Sequence, residues 1–121
     1  MSAAGWIAVG LLGGVAAGAR FVLDHEVSLR NRSAFPFGIL AVNLLGALAI
    51  GVVAGSTLDG EAATIVSGGV IGSFTTFSTW ILDSHRLAAA GRAELAWLDI
   101  ALASAAGFAA VALGHWLGGA L

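Results

Sequence analysis

No cysteine occurs among the 121 residues, which excludes a disulfide framework and any thiolate metal site. Charge is scarce: Asp, Glu, Lys and Arg together make up 10% of the chain, whereas soluble domains carry about 25%. So few charges cannot cover a water-facing surface, so lipid must be the solvent. Proline appears once, at Pro36, just ahead of an apolar run, where a helix N-terminus tolerates it. The net charge of −2 is too small to point to nucleic acid or to a strongly charged partner. His25, His85 and His115 are scattered, without the spacing of metal ligands, and an enzyme is not expected.

What is present is apolar: 59% hydrophobic residues, a mean hydropathy of +0.97 and 18 glycines. A helix needs about 20 apolar residues to cross a hydrocarbon core roughly 30 Å thick. Four runs reach that length, at about 4–23, 37–56, 62–82 and 95–117. They predict an all-α membrane protein, a single four-helix transmembrane domain over residues 1–121. The runs are continuous rather than alternating, which argues against a β-barrel, and lipid offers backbone groups no other partner. Residues 1–6 lack the basic residue of a signal peptide, so the first run reads as a mature helix. Small residues recur every fourth position, as Gly10, Gly14 and Gly18, Gly51 and Gly55, Gly68 and Gly72, and Gly114 and Gly118. That spacing is common where membrane helices pack closely.

The third run is the unusual one. Ser67, Ser73, Thr75, Thr76, Ser78 and Thr79 crowd its middle, too many hydroxyls to face lipid. Hydroxyls can bond back to carbonyls one turn earlier, leaving a bent but continuous helix. Alternatively the helix breaks, because Thr75 and Thr76 beside Gly72 and Ser73 are weak helix formers. Carbonyls freed at membrane depth are natural cation ligands. Phe74, Phe77 and Trp80 follow at helical spacing. Such a stripe serves as core or lipid contact, or it turns positive ring edges toward an anion without offering a full charge. Asn43, midway along the second run, brings an amide that is either interhelical glue or an anion-facing group. Arg20 near the end of the first run is an intramembrane cation or a side chain reaching for the interface; either way it biases the field toward anions. Asp99 is expected at the interface and Ser104 deeper in the fourth run.

These residues resemble a known family. The stretch "GSFTTFSTW" is similar to the Gly-Gly-x-Thr-Thr-Phe-Ser-Thr-Phe signature of the Fluc-type fluoride channels. "FGILAVNLLGALAIG" is similar to their second-helix motif Gly-Thr-x-x-x-Asn-x-x-Gly. Gly13, Ala16, Ala17, Arg20 and Phe21 match the first-helix pattern, so the resemblance covers nearly the whole chain. It implies a dual-topology architecture: an antiparallel dimer with two fluoride pores between the subunits, in the plasma membrane of a prokaryote. It also implies passive export of cytoplasmic fluoride and a central structural sodium ion. By motif position, sodium falls on the backbone carbonyls of Gly72 and Thr75. The pore falls on Asn43, Phe77, Ser78, Thr79 and Trp80, with Ser104 a looser match and Arg20 at the vestibule. Three positions depart from the pattern: Trp80 stands for the second phenylalanine, Ile39 for threonine and Ser73 for the second glycine. Trp80 and Ile39 also suit a non-conducting accessory subunit. A small multidrug exporter is disfavoured, because the first run has no carboxylate to trade protons.

Charge also distinguishes the two faces. Arg30 and Arg32 follow the first run, and Arg86 and Arg92 follow the third; the opposite face, with both termini and the second linker, has no Lys or Arg. The positive-inside rule places linkers 24–35 and 83–94 in the cytoplasm and both termini outside. A chain inserted both ways should show little such bias, so a heterodimer with a homologous subunit of opposite bias is favoured over a homodimer. A reporter fused to the C-terminus is expected to be active only outside. Equal activity on both sides of the membrane would contradict a fixed orientation.

Overall fold

The computed structural model describes all 121 residues and is entirely helical. Helix α1 spans Ala3–Arg30 and α2 spans Phe37–Gly55. The third span comes in pieces. Its first half, α3, covers residues 60–74: an α-helical turn at Gly60–Thr64, a π-helix at Ile65–Ile71 and a last turn at Gly72–Phe74. After a break at residues 75–77, α4 runs over Ser78–Ala89 and α5 over Ala93–Gly119. Four spans are long and apolar enough to cross a membrane: Ala3–Arg30, Phe37–Gly55, Gly60–Ala89 and Ala93–Gly119.

The apolar runs understate the first and third spans at the charged end. Helix α1 continues through Asp24 and Glu26 to Arg30, so much of the first linker is helical. Its polar end stays in register through bonds within the last turns: Arg30 Nη1 meets the Glu26 carboxylate at 2.9 Å, and Ser28 donates to Asp24 at 3.3 Å. The helix stops at Asn31, whose amide donates to the Phe35 carbonyl at 2.6 Å and turns the chain toward Pro36. Likewise Asp83 and Arg86 belong to α4, 3.8 Å apart.

The core of the chain is the pair α2–α5, and glycine sets how near the two backbones come. A methyl group at Gly51 would strike the Val111 carbonyl, and one at Gly55 the His115 carbonyl. The relation is reciprocal: Gly114 lies against the Leu48 carbonyl and Gly118 against the Val52 carbonyl. With no hydrophobic drive between helices in lipid, such backbone contact holds spans together by dispersion. The other glycine rows differ. A methyl group at Gly10, Gly14, Gly18 or Gly68 would meet no other atom of the chain, so their spacing does not mark packing within it.

Helix α1 packs on α2 and α3, and α4 on α5. The α4–α5 contact includes one buried polar pair: Ser84 donates to Asp99 at 2.7 Å. Asp99 is only 1% exposed, so its carboxylate is held in the interior of the bundle beside Ser84. At the opposite end, Glu61 accepts bonds from the Ser2 amide at 2.7 Å and its hydroxyl at 2.6 Å, joining the N-terminus to the second linker. Large apolar side chains such as Trp6, Leu11, Val15, Phe108 and Trp116 face outward, as suits a surface solvated by lipid.

Valine at Gly114 is expected to separate α2 from α5 and to destabilise the bundle by at least the ~1–3 kcal/mol typical of overpacking. Gly10→Ala adds its methyl to open space and is expected not to destabilise. Thermal unfolding in detergent checks both.

Candidate functional site

The break begins where Thr75 turns extended, at φ −84° and ψ 163°. Up to that point the chain still bonds as a helix. The Thr75 N–H and hydroxyl both reach the Ile71 carbonyl, at 3.0 and 3.1 Å. Thr76 then leaves the ladder, and Asn43 of α2 takes over its backbone. The Thr76 N–H donates to Asn43 Oδ1 at 2.9 Å, and Asn43 Nδ2 donates to the Thr76 carbonyl at 2.7 Å. One amide side chain thus replaces both backbone partners of one residue. Gly46, three residues on and on the same side of α2, leaves room for the Thr75 methyl, which a methyl at that position would strike.

The chain restarts with its own cap. Thr76 Oγ1 accepts the Thr79 N–H at 3.2 Å and donates to Thr79 Oγ1 at 3.2 Å. It also lies 3.5 Å from Ser78 Oγ. A hydroxyl that receives an N–H in the first turn of a helix satisfies a donor the helix cannot. The sequence shows this as threonines three residues apart.

Because the Thr76 N–H goes to Asn43, no backbone N–H reaches the Gly72 carbonyl. The Thr75 carbonyl receives none either; its one donor is Arg20 Nη1, at 3.4 Å. Both carbonyls expected to bind a cation are therefore free of the helix ladder, which fits the donor set of a sodium site. Arg20 is half-buried and turns toward the break rather than toward the charged end of the bundle.

Three cavities surround this centre. A groove of about 300 Å³ between α2 and α5 is lined by Leu40, Asn43, Leu44, Trp80, Ser104 and Phe108, among others. A second, of about 450 Å³, lies along the break and is lined by Asn43, Ser67, Gly72, Thr75, Phe77 and Trp80, among others. Asn43, Ala47, Trp80 and Val111 border both. The third, of about 550 Å³, opens at the charged end between Asp24, Asn31, Thr79, Asp83, Arg86 and Arg92. Both Arg-bearing connections therefore meet at one end of the bundle.

The expected pore residues separate over these spaces. Asn43 and Trp80 sit at the junction of the grooves, Ser104 in the first and Phe77 in the second. Thr79 faces the charged cavity, and Ser78 is exposed and lines none of the three. Phe77 is 71% exposed and meets Trp80 edge to face, with ring centroids 5.6 Å apart and planes at 84°. Reading the residues one by one missed Thr76. Its backbone is held by Asn43 and its hydroxyl caps α4, and neither role shows in a residue that reads as one more hydroxyl in the run.

Removing the amide in Asn43→Ala strands the Thr76 N–H and carbonyl, each at about 1–3 kcal/mol. The variant is expected to melt earlier in detergent. Its Thr76 amide should exchange hydrogen faster than the wild type's, and equal protection would show that Asn43 does not hold the break.

Comparison with known proteins identifies the family. Residues 7–115 match the family described as CrcB-like protein, Camphor Resistance (CrcB). A Mycobacterium bovis protein named Fluoride-specific ion channel FluC 2 is 39% identical over 112 residues, spanning 93% of this chain and 89% of the relative. Symbiobacterium thermophilum has two relatives. One named Fluoride-specific ion channel FluC 1 is 35% identical over 119 residues, covering 93% of this chain and 96% of its own length. One named Fluoride-specific ion channel FluC 2 is 43% identical over 117 residues, covering 88% and 95%. A membrane-spanning bundle whose third span breaks at "GSFTTFSTW" against an asparagine of the second, matched over nearly its full length, places this chain in the CrcB family.

Proposed function

We propose that this chain is one subunit of a dimeric fluoride channel that lets cytoplasmic fluoride leave the cell passively. The observation that carries the reading is the break at residues 75–77, held open at membrane depth by Asn43 and flanked by grooves lined with uncharged donors and ring edges. An anion path must bind its ion and also release it, and neutral amides, hydroxyls and ring edges offer attraction without a fixed charge. Arg20 adds a positive field beside the break. The relatives' names, fluoride-specific ion channel, agree in substrate.

The carbonyls of Gly72 and Thr75, both out of the helix ladder, would hold a structural sodium ion together with the same pair from a partner inserted the other way up. When bound, such an ion supplies fixed positive charge and ties the two breaks together. The residues of this chain prepare that site: Asn43 diverts the Thr76 N–H from Gly72, and Thr75 turns its carbonyl out of the ladder. The partner is a homologous subunit rather than a second copy. All four linker arginines gather at one end of the bundle, here the cytoplasmic end, and nothing in the sequence favours insertion the other way. The two differently numbered relatives in Symbiobacterium thermophilum are in keeping with paired subunits.

Reconstitution into liposomes loaded with potassium fluoride tests the proposal, with efflux followed by a fluoride electrode. The chain co-expressed with a homologous subunit of opposite charge bias is expected to release fluoride rapidly, and the chain alone much more slowly. Equal efflux from the chain alone would refute the heterodimer. No efflux from either preparation would make this a non-conducting accessory subunit.

A further inference from the structure

Three of the four tryptophans lie on the outside of the bundle, each near the end of a span. Trp6, Trp97 and Trp116 are 65–71% exposed, whereas Trp80 is half-buried at the break. Exposed indoles favour the headgroup level of a bilayer, where the ring meets hydrocarbon and the N–H meets water. On α5, Trp97 and Trp116 stand nineteen positions apart. On α1, Trp6 stands the same nineteen positions before His25, an exposed imidazole stacked on Phe21 with centroids 6.1 Å apart. Helix α2 is itself 19 residues long. At a rise of about 1.5 Å per residue, each of these stretches measures about 28 Å.

Contacts between helices set the three stretches side by side. Gly38, at the start of α2, lies against the Asp24 carboxylate, next to His25. Gly55, at its end, lies against the His115 carbonyl, next to Trp116. Charge begins where the stretches stop. Asp24 and Glu26 flank His25, and Arg92 and Glu94 pair at 2.8 Å just ahead of Trp97. At the opposite end, Ser2 holds the Glu61 carboxylate about one turn beyond Trp6. Inside these limits α2 has no charged residue, and α1 and α5 have one each. Both point inward: Arg20 to the break and Asp99 to Ser84. The bundle thus carries an uncharged outer band with one depth on three helices.

We propose that this band fits the protein to a bilayer with a hydrocarbon core of about 27 Å, thinner than the typical ~30 Å. A tilt of about 20°, average for membrane helices, shortens a 28 Å stretch to that depth. In a thicker bilayer, acyl chains would be drawn over Asp24, Glu26 and Arg92, and lipid offers those groups no partner. In a thinner one, the outward apolar side chains beside Trp6 and Trp116 would meet water. Either mismatch must be relieved by deforming the bilayer or tilting the bundle, at a cost that grows with its size. The partner is therefore lipid of a particular chain length, and the fit does not depend on whether the chain conducts.

Two measurements on the full chain test this, and neither needs fluoride to pass. The first uses vesicles of monounsaturated phosphatidylcholines whose hydrocarbon cores range from about 23 to about 34 Å. The thermal unfolding midpoint, followed by circular dichroism, is expected to peak near 27 Å and to fall by several degrees in the thickest bilayer. A midpoint that does not vary, or one that peaks at 30 Å or more, overturns the proposal. The second measures depth. In Trp80→Phe the remaining tryptophans are Trp6, Trp97 and Trp116. Lipids brominated near the glycerol end of the acyl chain are expected to quench their fluorescence roughly twofold more than lipids brominated near the chain terminus. Equal quenching, or the reverse order, places the indoles away from the headgroups and also overturns the proposal.

Discussion

A peptide unit that leaves a helix inside hydrocarbon must find its hydrogen bonds within the protein. Here the Asn43 side chain provides them, and most of the site depends on that exchange. By accepting the Thr76 N–H it releases the Gly72 carbonyl, and by donating to the Thr76 carbonyl it keeps the break from closing into helix. Thr76 Oγ1 can then cap α4. Without the clamp, the run of weak helix formers would still have reason to form one bent helix, because only a helix satisfies its own backbone in lipid. Propensity makes the break inexpensive, and Asn43 makes it specific.

The clamp works only if α2 is held firmly. Asn43 sits about two and three turns ahead of Gly51 and Gly55, through which α2 lies directly on the backbone of α5. Gly46 faces the break itself. One helix therefore presents glycine to α5 and an amide to α3 and α4, and it carries the precision of the packed pair into the site. The Ser84–Asp99 pair does similar work between α4 and α5: it places a carboxylate in the interior and gives it a donor. A buried polar pair of this kind favours one register of the two helices over others.

Much of this was legible in the sequence. Span number follows from the length of apolar runs, because the hydrocarbon core sets that length directly. The break was foreshadowed by hydroxyls and weak helix formers at residues 72–79. Helix ends were less legible, since hydropathy marks where lipid ends rather than where a helix does. Helix α1 continues seven residues past Leu23 on bonds within its own polar turns. Glycine spacing was ambiguous for another reason. Gly51 and Gly10 have the same kind of sequence context, and only three-dimensional placement shows that one meets a carbonyl and the other nothing. The dual engagement of Asn43 was also hidden, because an amide's identity says what it can bond and not which backbone it will face. The burial of Asp99 was hidden too, because it depends on Ser84, fifteen residues earlier, being placed to donate to it.

The π-helix at Ile65–Ile71 acts as a phase shifter. The Gly72 N–H bonds five residues back, to the Ser67 carbonyl, instead of four. The stretch behaves as though one residue had been slipped into an α-helix. In an α-helix each residue advances the side-chain direction by roughly 100°, so everything beyond Ile71 points about that far from where an unbroken ladder would aim it. Thr75 and Thr76 thereby acquire their bearing before the chain ever leaves the helix. The break opens toward α2 because the turns ahead of it have already been rotated to face that way.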